Sequence, residues 1–300
     1  MKQWARWIMQ AWHRQVLMIA ALFLLPPLSV FGIGIGVATV MANGALAALQ
    51  VLLPGFGIVM LSALVSPDGG TVVAAFTAGS CLVALVLGEL ARRTRSLTLT
   101  IQLTVLLALV VVGGVYLVVS DASELWRGPV EEAIAAFVEA GRLVLTEEQT
   151  MEAWAEAASA VATGMFVVSL WFIGSIALLT GYYLWDHGCD ESKARLGRFR
   201  ELNLGRVLAA FLVILALLAA TGGEVWLNLA LVLLLAFGLH GLALAHWARF
   251  RYRLPLAALL AVYFVVIGVN YAAIVVCVAG YVDAWFNFVR GNGQTPPAAA

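Results

Sequence analysis

Charge is scarce in this chain. Its 17 basic and 17 acidic residues make up 11% of 300, where a soluble domain carries about a quarter. With 63% hydrophobic residues and a mean hydropathy of +0.98, that scarcity excludes a chain that water keeps dispersed. The formal net charge is zero, which argues against a nucleic-acid partner. Cysteine is nearly absent as well. Cys81 and Cys277 lie in apolar runs and Cys189 in a polar connection, so no spacing suggests a metal knuckle or a disulfide framework. There is no sustained strand alternation, no Walker lysine motif, no zinc-histidine pair with an intervening Glu, and no nucleophile elbow. The amino terminus has no small-residue cleavage site after a single hydrophobic stretch, so no removable signal peptide is expected. These absences leave an integral membrane protein that is not an enzyme, with no catalytic residue, cofactor or metal ligand.

What is present is a series of long apolar runs. A helix needs about 20 apolar residues to cross roughly 30 Å of hydrocarbon. Residues 45 to 66, 70 to 91, 96 to 120, 158 to 185, 205 to 221, 225 to 248 and 254 to 279 qualify. Lipid demands that every backbone N–H and C=O be satisfied within the segment, so the expected fold is all-α: a polytopic transmembrane bundle of about 8 to 10 segments. The chain reads as one transmembrane domain over 1–300, with an amphipathic insert at 121–160 and a disordered tail at 291–300.

Pro26-Pro27 interrupts the first apolar run and removes two successive backbone donors. Basic residues decide between a kinked helix and a hairpin, because short cytoplasmic connections are enriched in Lys and Arg. Lys2, Arg6 and Arg14 mark one such site and Arg92, Arg93 and Arg95 the next. An even number of crossings separates them if residues 7 to 26 and 28 to 43 form a hairpin, which is the preferred reading. Lys193, Arg195, Arg198, Arg200 and Arg206 form a third basic connection, and Arg249, Arg251 and Arg253 a fourth. Trp4, Ile8 and Trp12 recur every four residues beside Arg6 and Arg14. They fit either a helix lying on an anionic surface or a plain extension of the first span.

Residues 121 to 160 hold nine acids against Arg127 and Arg142, a net charge of minus seven. That poverty in Lys and Arg puts the section outside the cytoplasm. Gly128-Pro129 is expected to open one helix. Thr146 is expected to cap a second, with Gln149 reaching back. The expected result is an extracytoplasmic helical hairpin, either a lid over a cavity or a solvated connector.

An ionisable group inside hydrocarbon costs about 2.5 to 3.5 kcal/mol at a helix centre, so each is informative. Glu89 has Arg92 and Arg93 three and four residues on and reads as a local ion pair. Asp186 and Asp283 are assigned to span boundaries. His240, within FGLHGLALAHW, is the exception. If the next span runs antiparallel from Leu254, Tyr263 reaches a similar depth, and a His240 to Tyr263 hydrogen bond is expected. His246 lies roughly 240° around the helix from His240 and cannot share a metal with it. Gly32, Gly34 and Gly36 lie in an apolar run without the strand, turn and helix of a nucleotide loop. Close helix packing accounts better for Gly32 and Gly36.

The run HGLALAHWARFRYRLPLAALLAVYF, followed by GYVDAWFNFVR, resembles the YybS-like family of uncharacterised bacterial membrane proteins. That family looks related in fold to the substrate-capturing subunits of energy-coupling-factor vitamin transporters. The resemblance implies a bacterial inner-membrane location and a capture role, and it carries over no functional residues.

Two readings of function follow. In the first, the bundle captures or transports a small apolar or aromatic molecule that contacts Trp154, His240 and Tyr263. In the second, it is a membrane scaffold that recruits a membrane or cytoplasmic protein through the basic 193 to 206 connection. The lipid bilayer is a partner in both.

Overall fold

The computed structural model describes residues 2–63, 70–142, 150–189 and 197–288. These are all-helical, without a strand among them. The expected cap at Thr146, the start of the third basic connection with Lys193 and Arg195, and the tail from 291 lie outside the described residues. Four helices are long and apolar enough to cross a membrane, over Thr71–Thr94, Leu97–Val118, Met151–Gly188 and Glu224–Arg251. A bent pair, Leu256–Gly268 and Tyr271–Phe286, adds a fifth element, and three shorter apolar helices accompany them. Large apolar side chains cover their outer faces. Leu117, Val118, Val207, Phe264 and Ile267 are each at least 80% exposed, an arrangement stable only against lipid. The protein is a membrane protein.

The chain divides into two compact units, residues 1–101 with 171–198, and residues 102–170 with 199–300. The first unit contains α1 (Lys2–Met9), α2 (Trp12–Phe23), α3 (Ser29–Asn43), α4 (Ala45–Ala63) and α5 (Gly70–Thr94). To these it adds the start of α6 (Leu97–Val118) and, passing over α7 (Ala122–Glu139), the later half of α8 (Met151–Gly188).

Pro26–Leu28 form a single 3-10 turn, and beyond it the chain reverses. Gln15 and Thr39, 24 residues apart and equidistant from Pro27, meet through a 2.9 Å bond from the Thr39 hydroxyl to the Gln15 amide oxygen. That pairing makes α2 and α3 an antiparallel hairpin, as the charge argument requires. Each arm is only about 18 to 23 Å long. Every residue from Gly32 to Met41 is buried, so the middle of α3 is enclosed by protein on all sides, while Phe31 near its start is 42% exposed. Glycines permit this. A Cβ on Gly34 would lie 2.8 Å from Thr180, one on Gly88 2.5 Å from Val40, and one on Gly181 2.6 Å from Val37. Gly36 likewise meets Leu52 and Ala84, and Gly32 meets Phe23. Glu89 accepts from Arg92 at 2.9 Å and from Arg93 at 2.7 Å, the expected local pair.

The second unit holds the remainder of α6, α7 and the first part of α8. Its other helices are α9 (Gly205–Ala219), α10 (Glu224–Arg251), α11 (Leu256–Gly268) and α12 (Asn270–Phe286). One expectation is corrected in α7. The helix starts at Ala122, where the Asp121 carboxylate accepts from the Glu124 amide at 3.1 Å. Pro129 lies inside it instead of opening it. The cap seen on α8 is Thr150, whose hydroxyl accepts from the Ala153 amide at 3.1 Å. The last apolar stretch is also corrected. It is not a single straight span over 254 to 279, because α11 and α12 turn by 119°. Val269 between them is extended (φ −125°, ψ 110°), so helices of 13 and 17 residues form a bent pair, a broken span or a re-entrant loop, in place of one straight helix.

Candidate functional site

α10 packs on α12 more extensively than on any other helix. Contact at this closeness requires the absence of side chains at the crossing. A Cβ on Gly241 would lie 2.0 Å from the Val276 carbonyl oxygen, and one on Gly280 would lie 2.2 Å from the Phe237 carbonyl oxygen. Small residues letting two backbones touch is the usual route to tight association in lipid, where no hydrophobic force separates protein from solvent.

One turn beyond that crossing, His240 of α10 meets Asp283 of α12. Nε2 lies 2.9 Å from Oδ2, and both side chains are 0% exposed. The other hetero atom of each, His240 Nδ1 and Asp283 Oδ1, is buried without a hydrogen-bond partner. The pair is walled by Phe237, whose ring centroid is 6.3 Å from that of His240, and Tyr281 packs edge-on against Phe237 at 5.6 Å. The remaining ionisable side chains of the helices packed here are sparse. α9 carries only Arg206, whose Nε donates to the Trp285 carbonyl at 3.1 Å. α11 carries Tyr263. α12 adds Tyr271, Tyr281 and Cys277, whose sulfur would lie 3.0 Å from a Cβ on Gly238. On α10 itself, Glu224, His246, Arg249 and Arg251 lie toward its two ends.

The pair can hold one proton or two. A neutral imidazole donating to a carboxylate leaves a net charge of minus one. One more proton makes the site neutral, as imidazolium with carboxylate or imidazole with carboxylic acid. In a medium that cannot solvate charge, each change of protonation alters the forces between the two helices.

The end of α12 is anchored. Asn287, in the left-handed conformation that Asn tolerates, closes the helix (φ 52°). Its side-chain oxygen accepts from Asn203 Nδ2 at 2.9 Å. Asn203 Oδ1 accepts from the Gly205 amide at 2.7 Å, and Gln102 Nε2 donates to the Asn203 and Leu204 carbonyls at 3.3 and 3.0 Å.

A second polar centre lies at Asn228 near the start of α10, also 0% exposed. Its Oδ1 accepts from the Gly164 amide at 2.6 Å, and its Nδ2 donates to the Ala160 carbonyl at 2.6 Å. The side-chain amide thus engages the N–H and C=O of one helical rung of α8. Nδ2 also reaches the Tyr116 hydroxyl at 2.8 Å and the Glu224 carbonyl at 2.9 Å. Trp126 of α7 donates to the Thr163 hydroxyl at 2.9 Å beside it.

The three expected ligand residues have different surroundings. Trp154 is 39% exposed on α8, and His240 is sealed against Asp283. Tyr263 is hydrogen-bonded at 2.9 Å to His246 instead. The expected His240–Tyr263 bond is therefore corrected, and the reason is helix length. α10 continues to Arg251 and α11 begins only at Leu256, so His246, not His240, lies level with Tyr263. Asp283, assigned to a boundary, lies three residues before the end of α12 and is the one fully buried acid among the described residues. The signal for it was its place in GYVDAWF, three residues after a glycine in a segment with no other acid.

Between α9, α10 and α12 lies an apolar groove of about 510 Å³, lined by Leu212, Ala216, Leu231, Leu234, Val278 and Tyr281 among others. Among the described residues no group of three or more His, Cys, Asp or Glu side chains gathers to hold a metal ion. His187 stacks on Tyr183 and lies 3.0 Å from that residue's carbonyl oxygen. Comparison with protein-family models, curated proteins and solved structures gives no match.

Proposed function

We propose that this is a multi-pass protein of the bacterial inner membrane that moves a small apolar or aromatic molecule, with His240 and Asp283 carrying the coupled proton. The carrying observation is the His240–Asp283 contact, an acid and a base both fully buried in an apolar bundle. Ionisable groups in such a place are expensive and mark proton or substrate pathways by default. Two further features support a carrier. Each unit has a short, interrupted apolar helix pair, α2 with α3 and α11 with α12, and broken segments of this kind frame the sites of many carriers. The apolar groove passes Tyr281, which packs on Phe237 beside His240, and this favours an apolar cargo. The capture role implied by the YybS-like resemblance is in keeping with the same reading. The expected orientation, with Arg92, Arg93 and Arg95 on the cytoplasmic side and the acids of α7 opposite, belongs to this proposal.

The test uses full-length protein in liposomes loaded with a pH-sensitive dye and polarised by a potassium gradient with valinomycin. A panel of vitamins and aromatic precursors is added outside. One compound should evoke proton movement in the wild type that Asp283→Asn abolishes. Identical traces for wild type and Asp283→Asn across the panel would overturn the proton role and favour a scaffold.

A further inference from the structure

The amino-terminal segment stands apart from the proton chemistry, and the structure breaks it from the first span. α1 is not an extension of α2. The chain breaks at Ala11, which is extended (φ −140°, ψ 126°), and α1 is an eight-residue helix of its own. Its inner face is fixed. Ala5 and Ile8 are buried, and a Cβ on Gly188 at the end of α8 would lie 2.6 Å from Met9 and 2.9 Å from the Ala5 carbonyl.

The outer face is unusual in what it leaves uncovered. Trp4 and Trp12 are each 64% exposed and Trp7 46%. Arg14 lies over the Trp7 ring, 4.9 Å from its centroid, and donates to the Trp7 carbonyl at 3.0 Å. Arg6 and His13 are exposed on the same segment. Every ionised side chain from residue 2 to residue 67 is basic, because no acid precedes Asp68.

We propose that α1 with the start of α2 is a docking surface for anionic phospholipid headgroups. Trp4, Trp7 and Trp12 seat their rings in the interfacial layer, while Arg6 and Arg14 meet the lipid phosphates. Indole rings prefer the headgroup level because the ring is apolar and the N–H stays wet. Arginine pairs with phosphate through two parallel N–H bonds. The stretch itself contributes no acid to compete for those arginines. Because α1 is packed on Gly188, lipid held there also fixes the end of α8 at the membrane surface. The partner is the lipid surface itself, and the charge complementarity is what selects it over a second copy or a soluble protein.

The full chain is placed at one copy per nanodisc, in phosphatidylcholine or in phosphatidylglycerol, and amide hydrogen exchange is followed over residues 2–14. Exchange should be slower in phosphatidylglycerol. Arg6→Gln, which removes no side-chain hydrogen bond or ion pair among the described residues, should return roughly fivefold of that slowing, as one cation near an anionic surface is worth. Unchanged exchange around Gln15 and Thr39 shows that the hairpin is still folded. Equal exchange in the two lipids, or no response to Arg6→Gln, overturns the proposal. So does slowing that appears only with two copies per disc, which assigns the surface to a second copy.

Discussion

Gly241 and Gly280 cross with their backbones in contact. A Cβ on Gly280 would fall 2.6 Å from the Gly241 amide nitrogen as well as 2.2 Å from the Phe237 carbonyl oxygen. Neither obstacle can rotate away. Gly280→Ala should therefore destabilise the folded protein by about 3 kcal/mol, the upper part of the range for overpacking. Gly238→Ala meets only the Cys277 sulfur at 3.0 Å and should cost less. Thermal unfolding of the two variants in one detergent compares them, and equal costs would mean that the crossing relaxes.

The contact beyond that crossing responds differently to single and paired changes. His240→Ala leaves a buried carboxylate with no partner and should cost about 3 to 5 kcal/mol. Asp283→Asn keeps an oxygen that can accept from Nε2 and should cost less. Replacing both residues by Leu should cost less than His240→Ala alone, because no buried charge is then stranded. A double-mutant cycle read by chemical unfolding measures the coupling.

His246 and Tyr263 supply a control. Tyr263→Phe should cost under about 1.5 kcal/mol, as interhelical hydrogen bonds in membranes do. Its cycle with His246 should show coupling while its cycle with His240 shows none. The second result would be reversed if the register expected from the sequence were the true one.

That register shows where the sequence was legible and where it was not. Apolar length and arginine spacing were enough for the all-helical fold and for the reversal at Pro26-Pro27, because hydrocarbon thickness and proline chemistry act locally. His240 stood out because it lies well inside its apolar run, with His246 nearer the end. Its partner did not. Asp283 lies 43 residues away on a helix whose direction depends on the turn at Val269, and no periodicity announces a 119° bend. The same is true of Asn228, a single amide in an apolar run, whose engagement with Gly164 becomes visible only when α8 and α10 meet. Tyr263 was misplaced by a count of helix ends that fell a few residues short.

Asn228 should prove costly to replace despite its small size. Asn228→Ala removes hydrogen bonds to Gly164, Ala160, Tyr116 and Glu224 together. The rung of α8 can partly repair itself, so about 1 to 2 kcal/mol is expected. Leu at the same position should be worse, because a methyl in place of Oδ1, which lies 2.6 Å from the Gly164 amide nitrogen, would overlap it. Thermal stability of the two variants checks the order.

Acid should loosen the start of α7. The Glu124 amide and the Ser123 hydroxyl hold the Asp121 carboxyl below the usual carboxylate range. A depressed folded-state value stabilises above the unfolded value of about 3.9, and the effect is lost as pH falls through the lower folded value. Amide exchange at Glu124 should accelerate across that window in the wild type. Asp121→Asn should flatten the dependence, and a steep profile in that variant would assign the effect to another group.

The enclosure of α3 bears on how the protein is made. A rod whose middle, from Gly32 to Met41, is enclosed by protein gains little from partitioning as it leaves the translocon. Thr180 and Gly181, which close over Gly34 and Val37, are synthesised long after it. Until the ribosome has produced them, the hairpin of α2 and α3 must wait with one side open, and nascent chains arrested before residue 171 should expose that side to chaperones and proteases.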